Sequence, residues 1–226
     1  MQTQTDPNPN GNTNSYVDTD TYLAACETAL INSADSEIAP LLEARSYTPA
    51  LLAAKQAELS AIKELVVTQK KEYGEQYDAT QAYNNAVGLL HPDYMDHLAL
   101  ARVVLKNNTA AKTALGLKGK RARSESGYCS QGLLFYKNTL SNADYTAALA
   151  KVGVSEADLQ SGKAGYEALS TQAAAKAKET GEAQGATARR DEAIDAFADW
   201  FSDFKEVAII ALRKTPQLRE KLGWKE

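Results

Sequence analysis

Apolar residues recur every seven positions over two long stretches of this chain. One heptad position reads Leu52, Leu59, Val66, Tyr73, Thr80, Val87, Tyr94, Ala101, and its companion reads Lys55, Ile62, Gln69, Gln76, Tyr83, Leu90, His97, Val104. A second series reads Leu159, Tyr166, Ala173, Thr180, Thr187, Ile194, Phe201, Ala208. A phase that never slips over so many heptads predicts one unbroken helix from about 49 to 106 and another from about 156 to 213. At about 1.5 Å per residue, each is expected to be roughly 85 Å long. Thr48-Pro49 starts the first, with a hydroxyl for the cap and a proline where its missing N–H costs nothing, and Ser155-Glu156 starts the second. Gly74, Gly181 and Pro92 oppose continuity, but Asp199 stands in the second series where Pro92 stands in the first, and neither glycine sits among turn residues.

The two stretches are related. Lys71-Glu72-Tyr73-Gly74-Glu75 and Ala79-Thr80 reappear as Lys178-Glu179-Thr180-Gly181-Glu182 and Ala186-Thr187. The same shift carries Leu52 onto Leu159, Ala101 onto Ala208, Leu105 onto Leu212 and Leu115-Gly116 onto Leu222-Gly223, and 42–118 aligns with 149–225 without a gap. A constant shift over such a span is what an internal duplication leaves. The expected fold is all-α: an internally duplicated helical bundle. Each copy has short N-terminal helices, one long central helix and a short terminal helix.

The shorter elements follow from punctuation. Residues 1–18, rich in Asn, Thr and Pro, have nothing apolar to bury and read as a disordered tail. Helix is expected near 19–31, at 38–42, at 109–115 closed by Gly116, at 128–140, at 144–151, and from Thr215-Pro216 to Leu222 closed by Gly223. The first copy spans 19–117 and the second 127–226, forming one cooperative body, with 118–126 a basic linker. The short helices between the long ones suit an out-and-back hairpin, so the long helices are expected to pair antiparallel. Small residues Gly74, Ala79, Gly181, Gly185 and Ala186 are the expected points of close helix crossing, with Tyr73, Tyr77 and Tyr83 as the bulk opposite.

Candidate chemistry is sparse. Antiparallel pairing would gather Glu72, Glu75, Glu179 and Glu182, yet no Glu-x-x-His accompanies them, and Lys71 with Glu75 and Lys178 with Glu182 make i, i+4 ion pairs. His91, Asp93, Asp96 and His97 form the histidine cluster. Two of these positions align with Trp200 and Phe204, which marks a packing face. Lys120, Arg121 and Arg123 in the linker are a candidate partner surface. No aromatic is interleaved with them, which argues against nucleic acid. Trp200, Phe201, Phe204 and Trp224 follow the helical period and read as core. Cys26 and Cys129 read as reduced and buried.

No catalytic, metal or cofactor-binding residue is assigned, and no cofactor is called for. A formal net charge of −4 argues against a nucleic-acid-coating or polybasic membrane role. No stretch approaches the roughly 20 apolar residues of a membrane span, and the first residues lack a leader pattern, so a cytoplasmic protein is expected. The leading reading is a non-enzymatic structural or interaction protein that binds a protein partner or itself. A membrane-acting helical protein, either a curvature binder or a soluble pore-former, is the alternative, and a carboxylate-bridged metalloprotein comes third.

Overall fold

The computed structural model describes residues 18–224; the expected tail lies outside them except for Asp18. The chain forms eight helices there and no strand: α1 (Thr19–Asn32), α2 (Ala39–Glu43), α3 (Pro49–Val104), α4 (Thr109–Ala114), α5 (Glu125–Leu140), α6 (Ala143–Ala150), α7 (Glu156–Ala211) and α8 (Gln217–Lys221). The heptads do yield unbroken helices: α3 and α7 have 56 residues each. Pro92 lies inside α3 without ending it. The residue four positions earlier is Gly88, and both are exposed, so the lost hydrogen bond falls on the watered side.

Helix ends follow local chemistry. The Leu51 N–H donates to Thr48 Oγ1 at 3.3 Å, and Ser155 and Asp158 form a reciprocal capping box before α7. Asn108, Ser124 and Asn142 cap α4, α5 and α6 with their side chains. Gly116 and Gly223 take positive φ, and the next residue's N–H returns to the helix in each case, Leu117 to the Lys112 carbonyl and Trp224 to that of Arg219. Thr215, at the expected start of the last helix, does not cap it. Helix α8 starts after Pro216 with no side-chain cap, and the Thr215 hydroxyl is buried without a partner.

Ser46 ends the segment after α2 at φ 69°, the one non-glycine with positive φ among the described residues. After α6 the matching turn uses Gly153 at φ 90°. Relieving that strain by Ser46→Gly is expected to raise stability by about 0.5–1 kcal/mol in urea unfolding. A loss of stability would show that the hydroxyl, and not the backbone, decides this turn.

Two compact units divide the chain. Unit 1 comprises residues up to 67 together with 189 onward; unit 2 is 68–188. In unit 1, Leu23, Cys26, Leu30, Leu42, Leu59 and Ile62 pack with Phe197, Phe201, Phe204, Leu212, Leu218 and Leu222. In unit 2, Tyr94, Leu98, Leu105 and Leu115 pack with Phe135, Tyr136, Leu149, Leu159, Tyr166 and Leu169. Spatial boundaries thus differ from the sequence boundaries 19–117 and 127–226, because each core draws on both stretches. Within unit 2 the long helices pair antiparallel: Glu72, Tyr83 and Tyr94 ascend α3 as their α7 neighbours Glu179, Lys176 and Tyr166 descend.

Candidate functional site

Unit 2 holds most of the polar side chains that chemistry could use. Its aromatic centre rests on a reciprocal exchange of glycine and tyrosine. A Cβ on Gly132 of α5 would lie 2.0 Å from the Tyr166 ring of α7, and one on Gly162 of α7 would lie 2.3 Å from the Tyr136 ring of α5. Gly165 makes room for Leu90 in the same way. Tyr94 sits among these rings, 5.2 Å from Tyr166 and 5.8 Å from Phe135 between centroids.

Hydroxyls at the edge of this cluster meet the two histidines. The Tyr166 hydroxyl donates to Tyr128 Oη at 2.9 Å, His91 Nδ1 lies 3.0 Å from Tyr128 Oη, and His97 Nδ1 lies 3.1 Å from Tyr136 Oη. Burial pushes the phenols of Tyr94, Tyr128, Tyr136 and Tyr166 above their ordinary value, so they remain neutral hydrogen-bonding groups in the physiological range. His97 therefore belongs to a packed face, as its alignment with Phe204 predicts.

The repeated acidic block gathers in part. One oxygen each from Glu72, Glu179 and Glu182 lie within 4.8 Å of one another; Glu75 is outside this group. Lysines interleave them. Lys71 Nζ lies 3.0 Å from Glu75 and 3.8 Å from Glu72, and Lys178 Nζ lies 3.1 Å from Glu179 and 2.8 Å from Glu182. The Glu182 carboxyl is held below its ordinary value by the Lys178 hydrogen bond, and Lys71 and Lys178 are raised by their partners. The arrangement is a network of ion pairs at the surface, each lysine shared by two carboxylates.

Beside it, between α5 and α7, lies a groove of about 560 Å³ lined by Glu125, Ser126, Cys129, Ser130, Ser170, Ala173, Ala174 and Ala177. Lys176 pairs with Glu125 at its rim and lies 5.2 Å from the centroid of the Tyr83 ring. Three serines line this groove with no imidazole beside them, so none has a base to activate it. Cys26, in unit 1, and Cys129 are free and buried, and burial pushes the Cys26 thiol up to about 11.

The expected crossing glycines and the expected basic surface take other roles. Gly74 and Gly181 are exposed, and a Cβ on either would meet no atom within 4 Å; Ala79 and Gly185 are half-buried and Ala186 is buried. Tight glycine approaches to α5, α7 and α3 side chains occur instead at Gly132, Gly162 and Gly165, which do not stand out in the sequence because they are not repeated between the two stretches. Lys120 and Arg123 are exposed, but Arg121 turns inward, donating to Tyr94 Oη at 3.0 Å and to the Gly116 carbonyl at 2.8 Å. It fastens the connection after α4 and leaves the candidate surface with two charges.

In unit 1 the aromatic group is core, as its period predicts. Phe201 and Phe204 are buried, Trp200 stacks on Phe204 at 5.4 Å between centroids, and Lys55 Nζ lies 4.9 Å from the centroid of the Trp200 ring. A small apolar cavity of about 150 Å³ opens beside Leu30, Tyr47 and Leu52. No helix among the described residues is long and apolar enough to cross a membrane. No family profile, curated protein or solved structure matches this chain.

Proposed function

We propose that this is a non-enzymatic helical protein, made by internal duplication, that works by binding protein: a partner or a second copy of itself. The observation behind this reading is the exposure of Tyr73 and Tyr77. The heptad position buried at Leu52, Leu59 and Val66 comes next to Tyr73, which is 48% exposed, and Tyr77 one turn further on is 64% exposed. A core-type position filled by an aromatic and left half in water, with a second exposed aromatic one turn on, marks a binding surface. Exposed Ala174, Ala177 and Gly181 on α7 add small, uncharged positions in the same unit, and Lys71 and Lys178 offset two of the four carboxylates there, so an approaching protein surface meets both signs of charge.

Duplication is supported by the equal lengths of α3 and α7 and by the burial of matched residues, Leu52 with Leu159, Ala101 with Ala208, Leu105 with Leu212 and Leu115 with Leu222. Two free, buried thiols suit a cytoplasmic location.

The test is a photo-cross-linking residue at position 77 of the full chain, read alongside sedimentation over a range of concentrations. A discrete cross-linked product is expected, and Tyr73→Ser should abolish it while leaving the melting temperature unchanged. Equal cross-linking and equal sedimentation with and without Tyr73 would overturn the reading.

A further inference from the structure

Neither half of the chain encloses a core of its own. The α1 face that carries Leu23 and Leu30 is closed by Phe197, Phe201 and Phe204, which come from the other half of the sequence. Tyr22 lies 6.5 Å from Phe201 and Tyr47 lies 5.2 Å from Phe204 between centroids. Asn32 Nδ2 donates to the Lys221 carbonyl at 2.6 Å, and Lys221 pairs with Asp35 and Glu37. Unit 2 is built the same way with the halves exchanged. There Tyr94 of the N-terminal half fills the space between Phe135 and Tyr166 of the C-terminal half, and Asn138 Nδ2 donates to the Ala114 carbonyl at 2.6 Å. In each unit the first helices of one half pair with the last helices of the other.

Two protomers of an antiparallel dimer share their cores in this manner. We infer that residues 18–117 and 125–224 are binding partners of each other, as subunits are, and that the partner this fold accepts is a matching half, from its own chain or from a second copy. Large aromatic contacts of this kind are what obligate interfaces bury, so a half separated from its partner exposes a core and not a surface. The connection between the halves is needed only to keep them close. Leu117 is buried and Arg121 is fastened, but Lys118, Gly119 and Lys120 are exposed, and Gly119, at φ 85°, has open space around it. Chain continuity at Gly119 is therefore dispensable once the units have formed.

The test is made on the full chain with a recognition sequence for a site-specific protease inserted after Gly119 and cleaved in the folded state. Both fragments should elute together at the mass of the uncut chain. The melting temperature should be independent of concentration before cleavage, and after it should fall by several degrees on a hundredfold dilution, because unfolding then includes dissociation. Cleaved protein from two differently labelled preparations, mixed and carried together through denaturation and refolding, should yield pairs bearing both labels. Fragments that separate in native buffer, each helical with its own concentration-independent melt, would overturn the inference by making each half a domain. Fragments that stay together with a melt unchanged on dilution would overturn it too. Tyr73 and Tyr77 belong to neither buried core, so reversible association of folded chains that Tyr73→Ser abolishes would belong to the proposed function and not to exchange of halves.

Discussion

Gly132→Ala is expected to cost about 2 kcal/mol of stability net, and Gly162→Ala a similar amount, whereas Gly181→Ala should add about 0.5–1 kcal/mol. All three replace a mid-helix glycine with the best helix former, so backbone propensity favours each by up to about 1 kcal/mol. The sign is decided by the space. At Gly132 and Gly162 the new methyl would lie 2.0 and 2.3 Å from the rings of Tyr166 and Tyr136, and both rings are buried among others and cannot swing aside. Overpacking on this scale costs about 1–3 kcal/mol or more and outweighs the propensity gain. At Gly181 the methyl meets nothing. Urea unfolding followed by far-ultraviolet dichroism measures all three, and a Gly132→Ala protein as stable as its parent would show that the two tyrosines interlock less closely than their geometry requires.

Phe204→Ala should cost more, about 3–5 kcal/mol, because it removes a fully buried ring and leaves a cavity that its neighbours cannot fill. Tyr47, Trp200, Phe201 and Trp224 all lie within 6.0 Å of its ring centroid. Trp200 and Trp224 are the chain's two tryptophans and both lie in unit 1, so indole fluorescence follows that unit while dichroism follows the whole chain. Helices α3 and α7 each have residues in both units without a break, so the two signals are expected to shift together. A fluorescence transition that moves to lower urea while the remaining dichroism keeps its midpoint would show that the units melt independently.

The features legible in the sequence are those that depend on the chain's own neighbours. Heptads that hold their phase past Gly74 and Pro92 make long helices because a buried stripe outweighs one lost hydrogen bond and the unfavourable glycines along them. Thr48, Ser155, Gly116 and Gly223 mark ends because caps are satisfied within five residues. What a side chain meets across space has no such local record. Gly181 is conspicuous because it repeats, yet it faces water; Gly132 and Gly162 repeat nothing and admit the two tyrosines. Arg121 stands in a run of charges that reads as solvated, and only the fold brings the Tyr94 hydroxyl and the Gly116 carbonyl within its reach. Periodicity likewise shows that α1 has a face to bury but not that the residues covering it come from beyond position 189.

That last arrangement sets an order on synthesis. Unit 2 is one continuous run of chain and can close while later residues are still being added. The segment ending at residue 67 cannot, since its counterpart begins at 189 and the loop to be closed contains all of unit 2. Until Phe197, Phe201 and Phe204 of α7 have emerged, the α1 face of Leu23, Cys26 and Leu30 lacks the rings that close it and is open to chaperones. A chain cut short early in α7 therefore betrays itself at α1, far along the chain from the cut.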